Sequence, residues 1–278
     1  SAKYGMECVA VPMERRMSPF KDLKSLVGLI KVFRDERPYI VHSMTPKAGL
    51  LCMMAAWVTK VPRRVHTFTG LVWPTASGLQ RRILMFTDWL TCVCATNVIP
   101  EGKGVMDDLQ KHITRKPMRV LGYGNVRGVD MSYWNRGNVD AKYVAQLKKS
   151  GPFTFLFVGR IVKDKGINEL VDAFMRVRER VAVRLFLVGR YEDDIDPIAD
   201  CTRKSIDECV DIVYAGPQYG KDLLTYYAAS DCFVFPSYRE GFPNTVLEAG
   251  AMGLPSIVTD INGSREIIEN GRNGLIVP

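Results

Sequence analysis

The stretch FVFPSYREGFPNTVLEAGAMGLP, residues 233–255, decides how the rest of the chain is read. It opens on an aromatic and β-branched run ending at Phe235, as a strand covered on both faces does. Pro236 and Ser237 break the run, so Glu240 falls in the loop beyond the strand's carboxyl end. Gly241 is expected to take positive φ, letting a ligand approach the backbone closely. Pro243 suits a helix start and leaves the amides of Asn244 and Thr245 without helical partners. Glu248, four residues after Asn244, shares that face, and helical side chains lean toward the N-terminus. Its carboxylate is therefore carried back toward those amides. It is placed to accept from a ribose diol, while Glu240 addresses the group beyond the phosphates.

Similar runs recur on both sides of this stretch: 153–159 (FTFLFVG), 183–189 (VRLFLVG), 210–216 (VDIVYAG), 255–260 (PSIVTD) and 274–278 (GLIVP). Each is nearly continuous in apolar character, and helix-like segments separate them. In residues 167–181 Ile167, Leu170, Val171, Phe174 and Val177 fall on one helical face. Strand alternating with helix predicts right-handed βαβ units and a parallel, doubly wound sheet. Ligand contacts then belong just beyond the strand ends. Arg160 follows the first of these strands, and Lys165 and Gly166 open the next helix. Two cations at a helix N-terminus suit a diphosphate, since the dipole and free amides already favour an anion.

The first half follows the same alternation, with strands in 38–44 (PYIVHSM), 63–70 (RRVHTFTG), 92–97 (CVCATN) and 118–126 (MRVLGYGNV), and helices in 47–60 and 80–91. Residues 126–150 carry no comparable strand run and read as a linker. The expected organisation is a first α/β domain over 1–150, a boundary near Ser150, and a second α/β domain over 151–278. The chain starts at SAKYGMECVAVPM, which reads as mid-domain, and stops at a strand end, so a fragment truncated at both ends is expected.

Of the 278 residues, 47% are hydrophobic and 24% charged, which fits a soluble globular protein with room for two cores. No run approaches the roughly 20 apolar residues that span a bilayer, and no secretory signal opens the chain. Ala48–Val58 reads as a buried helix. The seven cysteines are scattered without a Cys-x-x-Cys pair, and His42, His66 and His112 have no metal-ligand spacing. Reduced thiols in a cytoplasmic protein are expected. The net charge of +8 is uneven: 24 Lys and Arg against 11 Asp and Glu in residues 1–150, 14 against 19 in 151–278. The basic half suits anionic lipid or a phosphate-bearing substrate. Nucleic acid would fit the sign, but no aromatic-studded basic strand accompanies it and none is expected as a partner.

GRIVKDKG (159–166), YAGP (214–217) and the whole of 233–278 resemble retaining glycosyltransferases of the GT-B fold, the group with a Glu-x7-Glu motif. The likeness covers essentially all of 151–278. VHSMTPKAGLL (41–51), RRVHTFTGLVWP (63–74) and IPEGKGV (99–105) resemble the subset that builds capsular or O-antigen polysaccharide on a lipid carrier. The resemblance implies two Rossmann-like domains facing a cleft. It implies transfer of a sugar from a nucleotide-diphosphate donor, a UDP-sugar, to a lipid-linked saccharide. Arg160 and Lys165 would hold the diphosphate, Glu240 the donor sugar and Glu248 the ribose. Gly241, Phe242, Pro243, Asn244 and Thr245 would complete the donor side. His66 would hydrogen-bond the transferred sugar, and Lys47, Thr69 and Gly70 would meet the acceptor. No metal or cofactor is implied. No Asp-x-Asp stands ready, and EDDID (192–196) reads as a solvated acidic loop.

The basic half is expected at the inner face of the plasma membrane, with Arg81 and Arg82 beside Ile83, Leu84 and Phe86 suited to a peripheral contact. Three other readings share features with this one. They are a UDP-sugar 2-epimerase on the same architecture, a non-catalytic nucleotide-binding fragment, and a basic nucleic-acid-binding protein.

Overall fold

The computed structural model describes Gly5, residues 7–14, 18–148 and 151–278. The chain divides into two compact units, Ser1–Gly124 and Asn125–Pro278. In the first, the order is α1 (Pro19–Glu36), β1 (Ile40–Ser43), α2 (Pro46–Val58), β2 (Arg63–Phe68), α3 (Gly78–Cys94), β3 (Asn97–Pro100) and α4 (Lys103–His112). The three strands form a parallel sheet in the order β1-β2-β3. Pro19 and Pro46 each stand at a helix start, where a missing amide costs nothing. Helix α2 is apolar on all sides, and Met53, Ala55 and Ala56 are fully buried, as expected for 48–58. The first unit's core gathers Val41, Phe68, Trp73, Cys92, Val98 and Leu109.

The second unit runs α5 (Ala141–Lys148), β4 (Phe153–Val158), α6 (Ile167–Arg178), β5 (Val183–Val188), α7 (Asp200–Glu208), β6 (Ile212–Gly216), α8 (Gly220–Ala228), β7 (Cys232–Phe235), α9 (Asn244–Ala251), β8 (Ser256–Thr259), α10 (Ser264–Ile267) and β9 (Gly274–Val277). Its six parallel strands lie in the order β6-β5-β4-β7-β8-β9. All six coincide with runs singled out in the sequence, and the expected α/β class holds in both units. The chain winds outward from β4 to β6, then returns to lay β7 on β4's other side. That places the topological switch point between β4 and β7, where ligands of such sheets bind. Every residue of β7 is buried, and Phe157, Phe233 and Phe235 stack through the core. On α6, Ile167, Leu170, Val171 and Phe174 are buried as the spacing predicts, while Val177 is exposed.

Three expectations are corrected. Residues 92–94 continue α3 rather than open a strand, because Cys92 and Cys94 pack into the first unit's core from the helix; the strand starts at Asn97. Residues 118–126 form no strand: Gly122, Gly124 and Asn125 (φ 58°, 106° and 65°) are left-handed within four positions, and extended backbone cannot run through them. Residues 125–148 fall in the second compact unit, where the sequence reads 126–150 as a linker closing a first domain over 1–150. Trp134 enters the second core edge-on to Tyr227. Arg136 donates to the carbonyls of Met252 and Ala228, at the C-terminal ends of α9 and α8. The expected boundary near Ser150 lies outside the described residues.

Candidate active site

In the second unit, the loops leaving β4 and β7 meet at the switch point. The β4 loop carries Arg160, then a 3-10 turn over Lys163–Lys165, then Gly166 as the N-cap of α6. Gly166 has φ 69°, and a Cβ there would lie 2.0 Å from the Pro236 carbonyl oxygen, so only glycine lets the two loops close on each other. The β7 loop is pinned in return. The Arg239 guanidinium takes both oxygens of Asp164 at 3.0 Å, and the Tyr238 amide donates to the Asp164 carbonyl.

This closure brings Lys165 and Glu240 into an ion pair, with side chains only 13% and 15% exposed. Ser237 Oγ donates to the same Glu240 oxygen at 2.8 Å, and the Lys165 ammonium lies 5.4 Å from the Phe235 ring centre. Arg160 bonds Glu192 at 2.8 Å. That corrects the reading of 192–196 as a solvated loop. The Glu192 side chain is 7% exposed and bonded to Arg160 and Arg190, and Asp196 accepts from the Asp164 amide.

Helix α9 starts at Asn244 after Pro243, as expected, and no side chain caps it. Glu248 sits one turn in, 7% exposed, and accepts from the Tyr227 hydroxyl at 3.2 Å. Burial raises its carboxyl above the usual glutamate range, while the Tyr227 hydroxyl and Arg127 work against that rise. The left-handed backbone expected of Gly241 is found instead at Gly166 and Gly263 (φ 75°). Phe242 is buried, and its carbonyl accepts from the Asn125 amide, which also donates to Asn244 Oδ1 at 3.0 Å. Asn125, Tyr227, Ser237 and Glu192 were missed in the sequence. Only Ser237 carried a local signal, its place in the loop beside Glu240.

In the first unit, His66 lies inside β2 and is 2% exposed. Its Nδ1 meets Ser43 Oγ at 2.7 Å, and its ring sits edge-on to Phe68. Gly49, in the first turn of α2, makes room for it: a Cβ there would come 2.3 Å from the imidazole Cε1. Burial, with His42 adding to it, lowers the His66 pKa to about 4, so the ring is neutral at neutral pH. Thr69 and Gly70 follow the end of β2, and Thr69 Oγ1 donates to the Met44 carbonyl. Lys47 opens α2, but its ammonium is held by Asp22 at 2.6 Å and by the Glu14 carbonyl at 2.7 Å. Among the described residues, no three His, Cys, Asp or Glu side chains cluster as a metal site would need, and no helix is long and apolar enough to cross a membrane.

Two parallel-sheet units, the second with paired cations and carboxylates at its switch point, define a two-unit α/β protein. The chain belongs to the group 1 glycosyltransferases. Residues 152–278 match the family described as "Glycosyl transferases group 1", and residues 3–124 match the "Glycosyl transferase 4-like domain". The capsular polysaccharide biosynthesis glycosyltransferase CapM of Staphylococcus aureus is 34% identical over 282 residues, covering 96% of this chain and 70% of that protein. An Escherichia coli UDP-Gal:alpha-D-GlcNAc-diphosphoundecaprenol alpha-1,3-galactosyltransferase is 27% identical, over 95% of this chain and 68% of that one. Among solved structures, Anabaena Alr3699/HepE in complex with UDP-glucose shares the fold, with TM-score 0.76 and 18% identity over 94% of this chain and 70% of that one.

Proposed function

We propose that this glycosyltransferase moves a sugar from a UDP-sugar to a lipid-linked saccharide in bacterial surface polysaccharide synthesis, with retention at the anomeric carbon. The observation that carries the reading is the switch-point cluster: Lys165, Arg160 and Glu240 at the ends of β4 and β7, with Glu248 one turn into α9. Relatives named for capsule assembly and for diphosphoundecaprenol-linked acceptors support the acceptor class. An N-acetylgalactosaminyltransferase of Campylobacter jejuni, also named for a diphospho-undecaprenol acceptor, supports it too.

The second unit binds the donor. Arg160 and Lys165 take the diphosphate, and the uncapped amides of Asn244 and Thr245 add to that field. Glu248, fixed by Tyr227, accepts from the ribose hydroxyls. Glu240 holds the donor sugar, with Gly241, Phe242 and Pro243 shaping the loop around it. In the reaction the bond between the anomeric carbon and the diphosphate oxygen breaks as the acceptor oxygen bonds to that carbon on the same face. The acceptor's proton passes to the departing phosphate oxygen, whose negative charge Arg160 and Lys165 stabilise. His66, neutral and with Nδ1 held by Ser43, is buried in the first unit beside the acceptor-side residues Thr69 and Gly70.

The first unit handles the acceptor, with Thr69 and Gly70 after β2 and Lys47 at the start of α2; an acceptor phosphate would have to displace Asp22 from Lys47. The excess of basic residues in 1–150 holds the enzyme at the anionic inner face of the plasma membrane, on the cytoplasmic side. The test is incubation with labelled UDP-sugars and a diphosphoundecaprenol-linked saccharide. Label entering the lipid fraction in an α-linkage supports the reading. An epimerised free sugar nucleotide formed without acceptor would replace it with the epimerase.

A further inference from the structure

Helix α3 is amphipathic in the wrong sense for a water-facing helix. From Ile83 to Cys94 its exposed residues are Ile83 (42%), Phe86 (58%), Trp89 (45%) and Val93 (45%), every one of them apolar. With Leu79 (73%) they form one stripe at helical spacing, and the Phe86 and Trp89 rings stack at 5.6 Å. Beyond Arg82 the polar residues of the helix turn away from this face. Thr87 and Thr91 bond carbonyls one turn back, Thr91 is buried, and Asp88 is the helix's one acid. Burial pushes the Asp88 carboxyl up to about 7, so the helix carries little negative charge of its own.

Cations gather at both ends. Arg81 and Arg82 are exposed near the N-terminal end of the helix, which starts at Gly78. At the other end the Lys116 ammonium is bonded to the carbonyls of Cys92, Val93 and Ala95, and Arg64 donates to Cys94 at 2.6 Å. The whole of residues 1–124 holds 19 Lys and Arg against 9 Asp and Glu. An apolar stripe about 21 Å long between two cationic ends is the pattern of a helix lying in a lipid headgroup layer, side chains sunk among acyl chains and cations against phosphates. A second copy of the chain fits less well, because an antiparallel pair of α3 helices would bring cationic ends together.

We infer that the outward face of α3, from Leu79 to Val93, is the surface by which this enzyme docks on an anionic bilayer. The inference rests on the membrane contact proposed above and gives it a location. Vesicle binding does not read sugar transfer, so failure here is separable from failure of the transferase reading.

The test is sedimentation of the protein with phosphatidylglycerol-containing vesicles and with pure phosphatidylcholine vesicles. Wild type should partition to the anionic vesicles. The Phe86→Ser/Trp89→Ser double variant should lose about tenfold in partition, and Arg81→Gln/Arg82→Gln should become insensitive to phosphatidylglycerol. UDP binding and circular dichroism establish that the variants fold. In the otherwise unchanged protein, lipids brominated on their acyl chains should quench tryptophan emission, and Trp89→Phe should remove most of that quenching. Equal partition of wild type and variants, or quenching that survives Trp89→Phe, would overturn the assignment. So would a wild-type dimer that the double variant converts to monomer without change in vesicle binding, since the face would then belong to a second copy.

Discussion

Lys165 and Glu240, 75 positions apart, form an ion pair across the switch point of the second unit's sheet. The cation proposed to take the donor's diphosphate and the carboxylate proposed to take its sugar therefore neutralise each other in the ligand-free chain. Donor binding has to separate them or share the ammonium between carboxylate and phosphate. Glu240→Gln keeps the shape and releases Lys165. UDP should then bind several-fold more tightly while transfer falls about a hundredfold, since the lost contact acts on the reacting sugar. Weaker UDP binding in Glu240→Gln, measured by calorimetry, would show that Glu240 helps position Lys165 instead of competing for it.

Glu248 can accept from both hydroxyls of a ribose diol with its two oxygens only as a carboxylate, and burial already raises its pKa. UDP affinity should therefore weaken as pH falls through that raised value. Tyr227→Phe removes a hydrogen bond that stabilises the carboxylate, so the midpoint of this loss should move to higher pH, with affinity down about fivefold at neutral pH. The Kd of UDP measured from pH 5 to 8 in both proteins checks the direction. Superimposable profiles would detach Tyr227 from the role.

His66 has a folded pKa near 4 against 6.5 for the free side chain. Between those values the unfolded chain binds a proton that the folded chain does not, so this residue makes stability rise with pH and withdraws it as pH falls from about 6.5 to 4. His66→Gln should flatten that slope by up to about 3 kcal/mol. Asp88 works in the opposite sense: its carboxyl is raised from 3.8 to about 7, so its contribution falls as pH rises through that window. The difference between wild type and variant in urea midpoints at pH 7 and pH 4.5 isolates His66. Equal slopes would mean that the imidazole is charged in the fold.

Gly166→Ala places a methyl group against the Pro236 carbonyl at a left-handed position. Stability should drop by about 2–3 kcal/mol, and UDP binding should weaken even where the protein remains folded, because Lys165 and the β7 loop move apart. A thermal melt together with one titration reads both effects.

Much of the second unit was legible because its signals are local. Pro243 before Asn244, the Glu240 to Glu248 spacing and the six apolar runs are patterns of neighbouring residues, and all fall where the structure has them. What escaped depends on contacts far apart in the chain. Asn125 reaches Asn244 across 119 positions and Arg136 reaches Met252 across 116, so residues 125–148 read as a connector although they are packed. Cys92–Cys94 has strand-like composition but lies at the end of a helix whose core contacts override it. Helix α1 carries a readable start, Ser18 before Pro19, but Phe20, Leu23 and Val27 are exposed, which blurs the apolar stripe that would mark it as a core-facing helix.

The central claim is that the switch point of the second unit holds a nucleoside diphosphate with Glu248 on its ribose. Calorimetric titration of UDP, GDP and ADP into the wild-type chain and into Glu248→Ala tests it most directly. Saturable binding of UDP in preference to the other two, weakened at least about tenfold in Glu248→Ala, is the predicted result. Equal binding of UDP by wild type and variant would contradict the account.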